Sequence, residues 1–123
     1  MSRQSIEKRG VAIDRELRER IAKLVEDLAA GRLRLLVDDG RAGRLSEDEL
    51  RRAVEDYGRT LVPLPEEAWG LIEIYEQTEN PDVSSLDVPL WTIEEGQSDL
   101  TLSISVTKSE SGISIAVDDL HVL

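Results

Sequence analysis

Between Val11 and Ala30 the apolar residues Ile13, Leu17, Ile21, Leu24, Val25 and Leu28 recur at spacings of four, four, three, one and three. That rhythm places them on one face, so the spacing predicts an α-helix over 11–30, with Gly31 as its stop. Glu16–Arg20 and Glu19–Lys23 add acid-to-base pairs one turn apart on the wet side. Arg32–Val37 alternates briefly and reads as a short strand or a connecting segment. Ser46 followed three residues on by Glu49 has the form of a capping box. The helix it starts has Leu50, Ala53, Val54 and Tyr57 as its buried stripe and ends at Gly58. Leu61–Trp69 is a crossing in which Pro65 opens one helical turn through Glu66, Glu67 and Ala68.

After Gly70 the period falls to two. Leu71–Glu76 reads as a strand and Gln77–Ser84 as a polar loop. Leu86, Val88 and Leu90 alternate with Asp87, Pro89 and Trp91. A proline lacks the N–H a ladder needs, so this strand is expected at an edge or with a bulge. Glu94–Ser98 is a turn, after which Leu100, Leu102, Ile104 and Val106 alternate with Thr101, Ser103, Ser105 and Thr107. Lys108–Gly112 turns again into Ile113, Ile115 and Val117, where the parity slips to Leu120 and Val122. One residue of the Asp118-Asp119 pair must then be absorbed as a β-bulge. Turns this short join antiparallel neighbours. The expected fold is therefore α+β: two N-terminal helices on one face of an antiparallel meander of about four strands. Residues 1–10 are expected to be flexible and 11–123 to form a single domain.

Composition narrows the core and the chemistry. The chain has 123 residues, no Phe and no Cys, and its only aromatic rings are Trp69, Trp91, Tyr57 and Tyr75. The core is thus aliphatic, and disulfides, thiolate metal sites and cysteine nucleophiles are excluded. No secretory signal and no run of about 18 apolar residues occurs, so the expected location is the cytoplasm. Net charge is −11 and unevenly spread. Residues 1–59 carry 14 Lys and Arg against 13 Asp and Glu, whereas residues 60–123 carry only Lys108 against 13 acids. Such an anionic half repels phosphate backbones and attracts basic proteins, while also serving solubility. Nucleic acid and membrane are not expected partners.

Candidate sites are few. Asp38–Glu49 aligns with a calcium loop at Asp38, Gly43, Leu45, Ser46 and Glu49, but Gly40 and Ala42 stand where oxygen ligands belong, and Arg41 and Arg44 add positive charge. No metal and no cofactor are expected. His121 is the only histidine and could share a strand face with Asp119, beside Asp118. Glu94, Glu95 and Asp99 cluster at one turn. With Asp118 and Asp119 they are the candidate partner-binding carboxylates. Trp69, Tyr75 and Trp91 are candidate lining for a small-molecule pocket. Thr101, Ser103, Ser105, Thr107, Ser114 and Ala116 form a small, uncharged strand face suited to a second protein or a second copy of the chain. No nucleophile elbow, P-loop or dinucleotide fingerprint occurs, so no catalytic residue is assigned.

Four phrases point to a family: Asp39–Ser46, Tyr57–Trp69, Asp87–Thr92 and Asp118–Leu123. Together they resemble a family of small, acidic bacterial proteins known only as a domain of unknown function, over about Leu17–Leu123. That resemblance implies no activity. The order of helices followed by a curved sheet is also similar to the cystatin-like and nuclear-transport-factor-like cones. Three functions compete: an acidic binder of a basic partner, such as an immunity protein or antitoxin; a cone with a small-molecule or enzymatic pocket; and a structural homodimer.

Overall fold

The structure, a computed structural model, describes residues 13–76 and 79–122. The expected flexible segment 1–10 and the expected helix start at Val11 lie outside the described residues. Helix α1 (Arg15–Ala29) begins at Asp14, whose carboxylate accepts the Leu17 N–H at 3.0 Å and satisfies a donor the first turn leaves orphaned. Its stripe of Leu17, Ile21, Leu24, Val25 and Leu28 is buried.

The segment read as a short strand or connector is instead a second helix, α2 (Leu33–Asp38). Alternation over so few residues also satisfies a helical turn. Leu33 and Leu36, three apart, face inward and are buried, while Leu35 and Val37 remain exposed. Helix α3 (Glu47–Tyr57) starts with the expected capping box: Ser46 Oγ accepts the Glu49 N–H at 3.0 Å, and Glu49 Oε1 accepts the Ser46 N–H at 2.8 Å. It ends at Gly58, whose φ of 74° is left-handed. Among the described residues the helical layer therefore has three α-helices rather than two.

The crossing contains a two-residue strand, β1 (Leu61–Val62), and a 3-10 helix over Glu66–Leu71. Strands β2 (Glu73–Glu76), β3 (Val83–Thr92), β4 (Gly96–Ser109) and β5 (Gly112–Val122) follow. All pairings are antiparallel, with β4 between β3 and β5, and with β1 and β2 sharing the other side of β3. Strand β3 is thus interior, and Pro89 is accommodated by placement. Register puts β2 beside 84–87 and β1 beside 91–92, so Pro89 falls in the gap between them, where no ladder bond needs its nitrogen. Toward β4 the register shifts between Pro89 and Trp91, the expected irregularity. The bulge expected in the last strand is present as well: Asp119 opposes Ser103 and Val117 opposes Ile104, leaving Asp118 as the extra residue.

Burial alternates without a fault along β3, and Leu86, Val88, Leu90, Leu102, Ile104 and Val106 form the sheet side of one aliphatic core under the helices. A buried charge binds that helical layer together. Asp27 has no exposed side-chain surface, and Arg32 Nε (2.8 Å), Arg41 Nη2 (2.9 Å) and Lys23 Nζ (3.2 Å) surround its carboxylate. Burial by itself raises its pKa, but the bonds from Arg32, Arg41 and Lys23 outweigh that and hold it below the usual carboxylate value. Arg41 sits in the loop that resembles a calcium site. Its side chain also pairs with Asp39 at 2.8 Å, and its carbonyl accepts the Val117 N–H at 2.7 Å. The loop is thus a brace between α1 and the edge of β5.

Candidate functional site

The helices cover one face of the sheet and leave the other open. Alternation places Glu73 and Tyr75 of β2, Ser85, Asp87, Pro89 and Trp91 of β3, and Thr101, Ser103, Ser105 and Thr107 of β4 on the open face. Strand β5 adds Ser114, Ala116, Asp119 and His121 by register, and Asp118 through its hydrogen bond to Ser105. The bulge matters here. Without the extra residue, Leu120 and His121 would exchange faces.

Short polar bonds organise this surface. Ser103 Oγ donates to Asp87 at 2.7 Å, and Ser105 Oγ donates to Asp118 at 2.5 Å. Tyr75 donates its hydroxyl to Glu73 at 2.6 Å. That bond, then burial and the nearby Glu73 and Asp87 charges, push the Tyr75 pKa up to about 12, so its hydroxyl stays neutral across the physiological range. His121 Nδ1 lies 3.2 Å from Asp119 Oδ2, so the pair does share a strand face. Thr101 faces His121 across the ladder, is 2% exposed, and has no hydrogen-bond partner for Oγ1 among the described residues. Carboxylate, imidazole and hydroxyl therefore lie on adjacent strands without a relay that would activate the hydroxyl.

Glu73, Asp87, Asp118 and Asp119 give the face four carboxylates, and none of its residues is Lys or Arg. An array of pre-set anions among small hydroxyls, with Tyr75 and Trp91 toward one side, can dock guanidinium and ammonium groups. The face is thus less neutral than its serines and threonines imply.

The other sequence-derived candidates go elsewhere. Glu94 accepts both the N–H and the hydroxyl of Thr60 at 2.8 Å, which holds its carboxyl below the usual value. Glu95 accepts the Tyr57 hydroxyl at 2.8 Å and that of Thr92 at 3.1 Å. The same Tyr57 oxygen accepts the Asp99 N–H at 3.0 Å. The β3–β4 turn is therefore latched to the end of α3, and the five proposed partner carboxylates divide into this turn and the bulge. Trp69 packs on the core side, with the Arg18 guanidinium 4.6 Å over its ring, whereas Tyr75 and Trp91 belong to the open face. The sheet separates them, so the three rings line no common pocket.

Sequence reasoning missed Asp27 and Asp87. Asp27 follows Leu24 by three residues and so sits at the rim of the apolar stripe, with Lys23 one turn before it. Asp87 was visible only as a polar member of an alternating strand. Among the described residues no three His, Asp or Glu side chains gather as a metal site, and no helix is long and apolar enough to cross a membrane. A family model described as a domain of unknown function (DUF7668) matches residues 11–123. No curated protein and no solved structure matches the chain.

Proposed function

For a chain that belongs to this family of unknown function, DUF7668, we propose a role as a protein-binding domain whose open sheet face docks a basic partner. The observation that carries this reading is the convergence of Glu73, Asp87, Asp118 and Asp119 on a face that, among the described residues, has no Lys or Arg. Each carboxylate except that of Asp119 already accepts a hydroxyl from its own face, so these anions are held in place before a partner arrives. Pre-organised anions speed encounter with a cationic surface and reject acidic proteins. An immunity protein or antitoxin that covers the basic site of a toxin in the cytoplasm is the concrete form of this reading. Self-association through Thr101, Ser103, Ser105 and Thr107 is the weaker alternative, because it brings carboxylates against carboxylates.

The test begins with affinity capture from an extract of the source cells at low salt. Association rates of the retained basic protein are then measured across ionic strengths. The rate should fall as salt rises, and Asp118→Lys with Asp119→Lys should slow it about tenfold at low salt. A partner whose rate ignores both salt and the double reversal would refute the proposal. The Glu94→Gln and Glu95→Gln variants should chiefly loosen the turn and leave that rate nearly unchanged.

A further inference from the structure

The outer edge of β5 differs along its length. At Val117 the Arg41 carbonyl takes the N–H, and Gly43 lies so close that a Cβ there would stand 2.2 Å from the Val117 carbonyl oxygen. Main-chain groups two residues apart point to the same side of a strand, so the N–H and C=O of Ile115 also face outward. They face no loop. Instead Ile115 and Ser114 border a cleft of about 500 Å³ whose far wall is α1 and whose end is the Arg41 loop.

That cleft is polarised along β5. Near Gly112 the wall carries Glu16 and Glu19, and Glu16 Oε2 would lie 3.9 Å from a Cβ on Gly112. Arg20 leaves this end one negative charge in excess. Toward Val117 the lining passes to Lys23 and Arg41 beside Asp39, and behind these Glu26, Asp27 and Arg32 complete the pairing. Of the residues that line the cleft at this end, two are cations and one is an anion. Paired charges this close to open strand groups are unlike the plain solvated side of a helix. They bracket the stretch of edge that the loop does not cover.

We propose that this cleft binds an extended peptide segment as an added strand, antiparallel to β5, with an acidic residue at the Lys23–Arg41 end and a basic residue at the Glu16–Glu19 end. The Arg41–Val117 hydrogen bond is the first rung of such a ladder, and the peptide continues it at Ile115. Main-chain bonds give the hold and the two charged ends set direction. An antiparallel seat, with β5 running from Gly112 to Val117, requires the acidic residue at the peptide's N-terminal side. The site meets the open face only at Ser114 and does not depend on the basic partner proposed for that face.

Blocked Thr-Val peptides, long enough to span the cleft at about 3.3 Å per residue, provide the probe. One carries Glu first and Lys last, and the other reverses them. Amide spectra of the full chain should shift at Ile113–Ile115 with the first peptide, and the exchange of the Ile115 N–H should slow about tenfold at saturation. The Glu19→Lys variant, which touches no core contact, should weaken that peptide about tenfold. Preference for the reversed peptide, shifts confined to the open face, or indifference to Glu19→Lys would overturn the proposal. Protection of Ile115 that rises with protein concentration alone would also overturn it, by showing a second copy of the chain on this edge.

Discussion

At the scale of single residues, Ser46 and Asp27 show how differently a polar side chain can stabilise. Ser46 lies exposed and satisfies one donor at the start of α3, so Ser46→Ala should cost about 1 kcal/mol. For this size of domain that is a fall of roughly 3–6 °C in Tm, read by thermal melts. A variant that melts like the wild type would refute the capping box. Asp27 is enclosed and answers three cations, two of which reach solvent and can relax when it is lost. Asp27→Asn should therefore cost about 2–3 kcal/mol at neutral pH. In the folded protein its carboxyl is held below the ordinary value of 3.8. The stabilisation is thus present above the ordinary carboxylate range and disappears as pH falls through the lower, folded value. Urea unfolding across pH should show wild type and variant converging below that range; a gap constant down to strong acid would contradict the assignment.

At the scale of elements, the loop over 39–45 and the bulge at Asp118 shape the sheet's edge and its open face. The loop is legible as a Gly-rich turn before a capped helix, and its imperfect calcium pattern is visible in Gly40 and Ala42. Its contact with β5 is not legible, because Arg41 and Val117 stand far apart in sequence. Gly40 and Gly43 separate local strain from that contact. Both have left-handed φ, 87° and 62°, but nothing lies within 4 Å of a Cβ at Gly40, whereas at Gly43 the Val117 carbonyl blocks it. Gly40→Ala should cost about 1 kcal/mol from backbone strain alone. Gly43→Ala should cost a further ~1–3 kcal/mol, since backbone cannot yield as a side chain does. Equal losses in denaturant melts would show that the loop does not brace β5. The bulge, by contrast, was readable from parity alone, since Val117 and Leu120 cannot otherwise both face the core.

At the scale of the whole molecule, the uneven charge of the sequence becomes a division between layers. The helical half, nearly neutral, closes its charges on one another around Asp27 and along α1 and α3. The sheet half has almost no cation of its own: Glu66 reaches Arg18 of the helical half, Glu94 and Glu95 bind hydroxyls and a main-chain N–H at the turn, and Asp87 and Asp118 bind hydroxyls on the open face. By itself the sequence determined the aliphatic core, the helix over α1, the box at Ser46, the antiparallel strands and the bulge. Each of these depends on periods and caps that act over a few residues. It left Arg32–Val37 ambiguous, since a six-residue apolar rhythm fits two periods and only the packing of Leu33 and Leu36 selects the helix. Tertiary structure alone decided the arrangement of the candidate site: Glu94 and Glu95 were drawn into a latch with Thr60 and Tyr57, Trp69 was parted from Tyr75 and Trp91, and Asp87 joined Asp118 across the strands. The physical reason is that a local pattern says which face a residue takes. Which residues from distant strands share that face is decided by register, and register is set where the chain closes on itself.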